Sequence, residues 1–586
     1  MALQPTLETT TTDILILGSG GAGLFAALHA HDAHPGVSIL VTVKGLLGKS
    51  GCTRMVQGGY NVVLSASDSL EQHFRDTIEG GAYLNDQELA WTLVRTAPER
   101  IRELETRLGC FFDRNADGSI HQKAFAGQSF DRTVHRGDLT GIEIMNRLME
   151  QVLRRGIPTL EDHRALALLP TASGAGVAGA LFVDMRRGTF LAVRARATLL
   201  ATGGGPTMYK IAAPSAEKTT DGLAMAYRAG ARCMDMEMVQ FHPTGLLVGE
   251  SGMSGTVLEE GLRGVGGYLF NGRKERYMER YDARRMERST RDVVSRSSYM
   301  EVMAGRGTPH GGVYIDVSHL GAAFVEQNFP GMVERCRDVG FDLAREPVEV
   351  SPTAHYLMGG VRIDTACRSN LERLFVAGED SCGVHGANRL GGNGVACSTV
   401  FGGIAGDSLA AYIVGQELPA LEEAELQRQV QRVLTPFERD RGEDVYALRD
   451  ELRTLMWEQA GLVRHAAGLE TAQKGLEALR ERAERARVGG NTRLNAEWQE
   501  WLNLDSMLTV SQLIVASGLA RQESRGSHYR SDYPAADDAQ YLQNVYIQRH
   551  GEAPRVWLEP VALTRLTPPP RLSAQPEAVY LAQEGE

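Results

Sequence analysis

The sequence lacks the cysteine patterns and apolar runs that mark several protein classes. Its 586 residues include seven cysteines without CxxC spacing, so no metal or cluster ligand set is indicated and a reducing compartment is favoured. The start, MALQPTLETTTT, has neither the basic nor the apolar region of a signal peptide. The longest apolar candidate, 399–415, contains Asp407, and we interpret it as a buried helix rather than a membrane span.

Clusters of basic residues are also absent. The formal net charge is −11 and the arginines are dispersed among acidic residues, which argues against nucleic-acid binding. Hydrophobic residues make up 43% and charged residues 23%, the balance of a globular protein. A chain of this length is predicted to contain roughly two to four domains.

A glycine-rich turn follows the first apolar run. DILILG at 13–18 is followed by a helical pattern and then by VSILVTV at 37–43, which predicts a βαβ unit. GSGGAG at 18–23 lies between strand and helix, where glycines allow a tight turn and close approach of a pyrophosphate. This placement favours a bound dinucleotide over a purely structural turn.

The second predicted strand lacks the acidic residue that would bind a ribose. It ends in Thr42, Val43 and Lys44, which makes an exchangeable NAD a poorer candidate. ATGG at 201–204 is a second glycine turn after a strand, and it suits a tightly held FAD. An ordinary β-turn is the alternative interpretation of that segment.

Changes in composition divide the chain into segments. Residues 165–205 alternate as strands, 243–353 are rich in glycine, 371–404 again resemble the first part, and 420–488 have helical periodicity. We predict an α/β protein with the following division: first domain, first part, 1–242; inserted domain, 243–353; first domain, second part, 354–418; helical domain, 419–540; irregular tail, 541–586.

Several motifs then occur in an order typical of one enzyme family. They are DMEMVQFHPTG (235–245), EEGLRGVGG (259–267), RDVVSRS (291–297), HYLMGG (355–360), AGEDSCGVHGANRLGGN (377–393) and RQESRGSHYRSDYP (521–534). With them the chain resembles the flavoprotein subunits of succinate dehydrogenase and fumarate reductase, of which L-aspartate oxidase is a close relative. The resemblance spans nearly the whole chain. It implies a Rossmann-like FAD-binding domain, an inserted α+β capping domain and a C-terminal helical domain.

The same resemblance implies roles for site residues. His242, His355 and Arg389 would bind substrate carboxylates. Reduction of a double bond between carboxylates builds negative charge on their oxygens, and surrounding cations stabilise that charge. The residues implied to contact FAD are Gly18, Ser19, Gly20, Gly21, Ala22, Gly23, Lys44, Ser50, Gly51, Cys52, Gln57, Gly58, Gly59, Ala201, Thr202, Gly203, Asp221, Glu379, Arg389, Gly394 and Val395.

Arg291 would be the proton donor or acceptor, and Glu260 and Arg263 would relay protons to it. Arginine donates poorly in water because its pKa exceeds about 12. The developing carbanion is far more basic, and a planar guanidinium can grip a carboxylate while it donates. A relay is needed because the arginine must then be reprotonated.

Cys52 lies in KSGCTRMVQGG, residues 49–59, where membrane-bound members of the family carry a histidine bonded covalently to the flavin. The resemblance therefore predicts noncovalent FAD, with Cys52 beside the dimethylbenzene edge as a small apolar neighbour. A cysteinyl-flavin thioether is the alternative. Loss of the covalent bond is expected to lower the flavin potential and to favour the reductive or oxidase direction.

The chain departs from the family at three positions. Glu259 occupies a substrate-binding position where relatives have Thr or Ser. Two unit charges about 4 Å apart interact by roughly 4 kcal/mol at an effective dielectric near 20, so an ionised Glu259 would repel a dicarboxylate. Either Glu259 turns into an arginine pair or the substrate end is neutral or cationic. Val265 replaces an acidic or polar residue, and Gly394 a serine beside the flavin.

The function predicted first is FAD-dependent interconversion of fumarate-like and succinate-like dicarboxylates. L-Aspartate oxidase activity and a noncatalytic FAD-binding assembly subunit are the alternatives. Electrons would leave the flavin to oxygen, to a small carrier or to a separate iron–sulfur subunit, and the resemblance favours the last, a role in electron transport. A cytoplasmic location is expected, with any membrane association made through partner subunits. A homo-oligomer is left open.

Overall fold

The computed structural model describes residues 6–249, 251–551 and 553–569. The strands are β1 (Leu7–Leu17), β2 (Ile39–Thr42), β3 (Tyr60–Asn61), β4 (Gln122–Lys123), β5 (Thr133–Val134), β6 (Thr159–Leu160), β7 (His163–Pro170), β8 (Val177–Asp184), β9 (Thr189–Leu200), β10 (Cys233–Met234), β11 (Val239–Leu246), β12 (Tyr268–Phe270), β13 (Val313–Asp316), β14 (Val348–Leu357), β15 (Gly360–Val361), β16 (Leu374–Val376), β17 (Gln543–His550) and β18 (Ala553–Pro560). The helices are α1 (Gly21–Ala33), α2 (Leu70–Gly80), α3 (Gln87–Thr106), α4 (Thr140–Arg154), α5 (Asp221–Arg228), α6 (Gly261–Gly264), α7 (Met278–Tyr281), α8 (Arg291–Glu301), α9 (Ala322–Asn328), α10 (Pro330–Arg337), α11 (Asn393–Tyr412), α12 (Glu423–Leu434), α13 (Val445–Ala460), α14 (Ala466–Glu484), α15 (Ala496–Ala520) and α16 (Asp538–Tyr541).

The main sheet has the strand order β6-β2-β1-β9-β8-β7, and β16 also pairs with β9. The strands β6, β2, β1, β9 and β16 run parallel, whereas β7, β8 and β9 are antiparallel neighbours. The apolar end of β1 is buried on both faces, as parallel strands under helices are. The predicted βαβ opening and α/β class are confirmed.

The first strand is longer than predicted. It begins at Leu7 rather than at residue 13, because the threonine run pairs with β9 from the Leu7–Phe190 register onward. Threonine is β-branched and fits a pleated, half-exposed strand. The segment before the predicted first strand is therefore part of the sheet from Leu7 on.

Gly18 brings the two predicted glycine turns together. It has a φ of 110°, a backbone region that only glycine adopts readily, and a Cβ there would overlap the carbonyl of Ala201. Its N–H donates to Thr42 O at 2.9 Å. The turn at 18–23 and the turn at 201–204 consequently meet at the carboxyl ends of β1 and β9.

A second antiparallel sheet, with order β11-β14-β13-β12, has a hydrophobic core of its own. All buried members of that core lie between Leu246 and Val350. The sheet is continuous with the segments that lead into and out of it, since His242 pairs with Thr353 across β11 and β14. The exact domain limits stay a prediction.

The C-terminal region contains the predicted helices, with α13, α14 and α15 packed on one another. The prediction of an irregular tail is wrong for residues 543–560. There β17 and β18 form a hairpin that extends the sheet β15-β10-β17-β18. Val545 and Ile547 alternate inward and are fully buried, a period-two pattern that our interpretation overlooked. The rest of the predicted tail, from residue 570, lies outside the described residues.

Within the described residues, α11 and α15 are long and apolar enough to cross a membrane by length and composition. In each, 72% of the apolar window is buried inside the protein, as in the core helices of soluble proteins. The predicted buried helix around Asp407 is confirmed as part of α11.

Candidate active site

Two adjacent cavities lie where the glycine turns meet the second sheet. The larger has a volume of about 510 Å³, the smaller about 80 Å³, and Gly20, Ala201 and Gly203 line both. The predicted residues that line the larger cavity are Gly20, Gly21, Ala22, Cys52, Gln57, Gly58, Gly59, Ala201, Gly203, His242, Glu259, Glu260, Arg291, His355, Glu379, Arg389, Gly394 and Val395. Those that line the smaller are Gly18, Ser19, Gly20, Lys44, Ser50, Gly51, Ala201, Thr202, Gly203 and Asp221.

The turn at 18–23 forms an open cradle at the N-terminus of α1. The N–H of Gly21 donates to Thr53 Oγ1 at 3.1 Å, while the buried Ser19 hydroxyl has no partner among the described residues. A Cβ on Gly20 would meet nothing closer than Thr53 Oγ1 at 3.7 Å. An anionic pyrophosphate could use this spare hydroxyl and this space. The residues present therefore fit FAD.

Lys44, at the end of the strand that lacks the expected acid, belongs to a charge network. Its Nζ donates to Asp221 Oδ2 at 2.9 Å, and Arg164 Nη2 donates to Asp221 Oδ1 at 2.9 Å. Burial disfavours the ionised carboxyl, but the two cations outweigh it and hold the pKa of Asp221 below its usual range. Asp221 is thus a buried anion already satisfied by protein cations.

Cys52 begins a short 3-10 turn, Cys52–Met55, on the wall of the larger cavity. Burial raises the pKa of its thiol to about 11. Only about one molecule in 10⁴ would then carry a thiolate at neutral pH, and the thiolate is the nucleophilic form. Cys52 therefore contributes a small, weakly reactive surface.

Arg291 opens α8 and is the most constrained cation of the cavity. Its Nε and Nη2 donate to Glu260 Oε2 at 3.1 and 2.6 Å, and its Nη1 donates to Gln240 Oε1 at 3.1 Å. A Cβ on Gly391 would overlap Glu260 Oε2, so glycine at that position makes room for the pair. The guanidinium is thereby oriented before any ligand arrives.

Glu260 connects two arginines. Its second oxygen, Oε1, accepts from Arg263 Nη2 at 2.9 Å. Burial opposes its ionisation, but Arg291 and then Arg263 outweigh burial and hold the pKa of Glu260 below its usual value. Arg263 is fully buried and does not line the cavity, and it is hydrogen-bonded to Glu260 rather than to Arg291.

The two histidines face each other across β11 and β14, with ring centroids 5.4 Å apart. His242 Nδ1 lies 3.3 Å from the backbone nitrogen of Thr244 and 3.2 Å from the Thr244 hydroxyl, which itself donates to Leu258 O at 2.8 Å. His242 Nε2 and the ring of His355 have no hydrogen-bond partner among the residues described. Burial, then neighbouring cationic groups, lowers the pKa of both rings well below the usual value.

Arg389 has no carboxylate partner in the described part of the chain. Its guanidinium carbon lies 4.3 Å from the ring centroid of Tyr356, and its buried Nε is unpaired. Burial lowers the pKa of Arg389 to about 10, and Arg291 adds to the effect. A Cβ on Gly394 would lie 2.6 Å from Arg389 Nη1, so glycine in place of serine gives this guanidinium its space.

Glu259 forms an ion pair, but its partner is Lys123 rather than the predicted arginine. The Lys123 ammonium donates to Glu259 Oε1, whereas Oε2 is buried without a partner among the residues that the structure describes. Burial raises the pKa of Glu259 despite the lysine. The other departure, Val265, is exposed beyond α6 and does not line the cavity.

Some residues that shape the site were missed from the sequence. Gln240 lies within the motif DMEMVQFHPTG and could have been found from it. Thr53 lies within the segment 49–59 but was not singled out there. Lys123 and Phe125 belong to segments with no recognisable pattern, and only the fold brings them to the site. Gly23 was predicted to contact the cofactor, but it lines neither cavity. A Cβ there would overlap the carbonyl of Gly18, so Gly23 serves the packing of α1 on β1.

Comparison with known proteins identifies the family. Residues 13–395 match the FAD binding domain family, and residues 449–574 match the fumarate reductase flavoprotein C-terminal family. The chain belongs to the fumarate reductase and succinate dehydrogenase flavoprotein family. This family membership makes the protein an FAD-dependent oxidoreductase and confirms the predicted fold class.

Relatives of this flavoprotein are similar along almost its whole length. One subunit of the CoM/CoB fumarate reductase of Methanothermobacter marburgensis is 44% identical over 90% of this chain and 95% of its own. The flavoprotein subunit of Escherichia coli quinol fumarate reductase superimposes with a TM-score of 0.91 at 33% identity, covering 96% of this chain and 98% of that one. Mycobacterium smegmatis Sdh1 gives 0.86 at 34% identity, covering 95% of each. The L-aspartate oxidase alternative is not favoured.

Proposed function

We propose that this flavoprotein interconverts a fumarate-like and a succinate-like dicarboxylate. The observation that carries the proposal is a set of three groups that line one cavity and lack partners in the described chain: His242 Nε2, the His355 ring and the Arg389 guanidinium. Buried polar groups are normally paired, so such a set is suited to hold carboxylate oxygens. When bound, FAD would supply hydride transfer at N5.

Electrostatics support an anionic substrate. Around the substrate end, Arg263, Arg291 and Arg389 carry positive charge, whereas Glu260 carries one negative charge. The histidines are neutral because their pKa values are low. The net excess of positive charge favours a dianion and stabilises the further charge that develops on its carboxylates during reduction.

Arg291 is the proposed proton donor in the reductive direction and acceptor in the reverse. The fork of hydrogen bonds to Glu260 and Gln240 aims it and limits its motion. Glu260, which is ionised at rest, would take a proton from Arg263, bonded to the other oxygen of the same carboxylate, and pass it to Arg291. Arg263 is fully buried, with Nη1 donating to Glu287 O at 2.6 Å, and solvent would have to restore its proton in each turnover.

A direct test is the anaerobic oxidation of reduced protein. The purified flavoprotein is reduced under nitrogen and mixed with fumarate, substituted fumarates or iminoaspartate. We expect fumarate to restore the absorbance of oxidised flavin and to appear as succinate. Reoxidation by iminoaspartate together with inertness towards fumarate would instead support amino-acid oxidation.

FAD is expected to be noncovalent. The raised pKa of Cys52 leaves little thiolate to attack a flavin methyl position, and acid precipitation should release all flavin into the supernatant. Cys52→Ser is the matched variant, and its flavin content and release should equal those of the parent. A yellow pellet from the parent that turns colourless in Cys52→Ser would establish a thioether.

The pH dependence of KM for fumarate should lack a histidine transition. His242 and His355 have lowered pKa values, so both rings stay neutral through the interval around their ordinary pKa of about 6.5. Arg389 loses its charge only as pH rises through about 10, and KM should increase there. Steady-state kinetics between about pH 6 and 10 check this, and a KM transition near the ordinary histidine pKa that vanishes in His355→Gln would contradict it.

We propose a separate iron–sulfur subunit as the electron partner. The relatives named above are subunits of larger enzymes, which supports this arrangement. The proposed location is cytoplasmic, with contact to a membrane made through such partners. Copurification of the tagged chain with a brown, cluster-containing protein from its native host would be the expected result.

A further inference from the structure

Glu259 places a carboxylate on the wall of the proposed dicarboxylate site. It is 2% exposed, lines the larger cavity, and precedes Glu260 directly. Glu260 bonds Arg291 and Arg263 through its two oxygens, but neither arginine bonds Glu259. An uncompensated anion at this position would repel a dicarboxylate ligand.

Lys123 supplies the missing compensation from a distant part of the chain. It ends β4 in the small sheet β3-β5-β4, and its ammonium bonds Glu259 Oε1 across 136 residues of sequence. The lysine itself does not line the cavity, so it lies behind Glu259 as seen from a bound ligand. The ammonium also contacts Gly137 O at 3.4 Å and faces the Phe125 ring at 5.8 Å.

We propose that Lys123 is a positioning residue that cancels the charge of Glu259 and so lets this site accept a doubly charged substrate. The inference rests on the proposed function. Arg263, Arg291 and Arg389 with Glu260 leave an excess of two positive charges, which matches a dicarboxylate. Arg335 also lines the cavity, and Asp138 is its nearby opposite charge. Glu259 alone would reduce that excess, and Lys123 restores it. The pair engages Oε1, whereas Oε2 is buried without a partner among the described residues.

The pair joins two differently packed parts of the molecule. Leu258 and Leu262, on either side of Glu259, belong to the core between residues 246 and 350, whereas Tyr60 and Val134 of the small sheet belong to the main core. Gln57 Nε2 donates to Val257 O at 2.9 Å across the same boundary. Lys123 therefore cancels the charge of Glu259 only while the small sheet and the segment around Glu259 are in contact.

Charge compensation and a purely structural role of Lys123 predict different changes in KM for fumarate. Lys123→Met leaves an unpaired anion, and we expect KM for fumarate to rise by about 10- to 100-fold with a smaller change in kcat. Glu259→Gln leaves the lysine cationic, and KM should stay equal or fall. The double variant, with both charges removed, should return KM to within about threefold of the parent. Lys123→Arg keeps the positive charge, and its KM for fumarate should be close to that of the parent.

Flavin content and thermal unfolding are measured for every variant, and Lys210→Met, an exposed lysine, is the matched control for total charge. If both single variants lose affinity to a similar extent, or if the double variant does not recover, Lys123 is a structural residue and the inference is wrong. If Lys123→Met folds poorly, KM for fumarate is compared between Glu259→Gln and the double variant. A KM of the double variant within about threefold of the parent supports charge compensation, and a much higher KM supports a structural role of Lys123. A parent protein inert towards fumarate would refute the proposed function instead.

Discussion

Replacing Arg291 by glutamine is expected to lower kcat for fumarate reduction by about 10²- to 10⁴-fold, the usual contribution of a general acid or base. Glutamine can donate a hydrogen bond, but it carries no positive charge and delivers no proton. The parent guanidinium is already held by Glu260 and Gln240, so its contribution does not depend on a search for the right geometry. KM should change less than kcat, because Arg389 and the two histidines, the proposed carboxylate ligands, are unchanged in the variant.

Single-turnover oxidation of reduced flavin separates this effect from product release. Arg288→Gln is the matched control, since Arg288 is exposed and lies three residues earlier in the chain. Arg291→Lys keeps the charge but loses the planar fork, so its rate should fall between those of the parent and the glutamine variant. Turnover of Arg291→Gln within about threefold of the parent, with flavin content unchanged, would exclude Arg291 as the proton donor.

Replacing Gly20 by alanine is expected to raise the dissociation constant of FAD by about 10- to 100-fold, which corresponds to roughly 1–3 kcal/mol of overpacking. The protein itself has room for the new methyl group, whose nearest neighbour would be Thr53 Oγ1 at 3.7 Å. The second glycine of such a turn permits the backbone to approach the pyrophosphate. The variant should therefore fold normally and purify with little colour.

Circular dichroism and thermal unfolding check the fold, and titration with FAD followed by flavin fluorescence checks the affinity. Gly36→Ala is the matched control, because the nearest atom to its Cβ is 4.0 Å away in a surface turn. Gly18→Ala marks the other extreme, since its Cβ would overlap the Ala201 carbonyl and disturb the turn itself. Unchanged FAD affinity in Gly20→Ala would mean that the pyrophosphate does not lie against this turn.

Local signals in the sequence were sufficient for the parts of the site that local chemistry controls. The glycines at 18–23 and 201–204 predicted a cofactor turn, since Gly18 and Gly203 adopt backbone conformations that favour glycine. The apolar period of β1 and α1 predicted the βαβ unit, and the ordered motifs predicted which residues share a cavity. The threonine run before residue 13 and the alternation in β17 carried weaker signals, which our interpretation overlooked.

Glu259 shows where sequence reasoning reaches its limit. It is an acid where the resemblance implies Thr or Ser, and the sequence allowed either an arginine pair around it or a substrate with a neutral or cationic end. The answer depended on Lys123, which is 136 residues away and lies in a two-residue strand without a recognisable pattern. Gln240 and Gly391, which orient and make room for Arg291, likewise acquire their roles only through contacts between separate segments.

The sequence by itself determined the cofactor turn, the family and the set of cationic and imidazole groups, because each is encoded by residues close together in the chain. The tertiary structure alone decided which charges cancel, which donors stay free and where the last two strands pair. Those outcomes depend on burial and on distances between segments remote in sequence, and neither quantity is contained in local spacing.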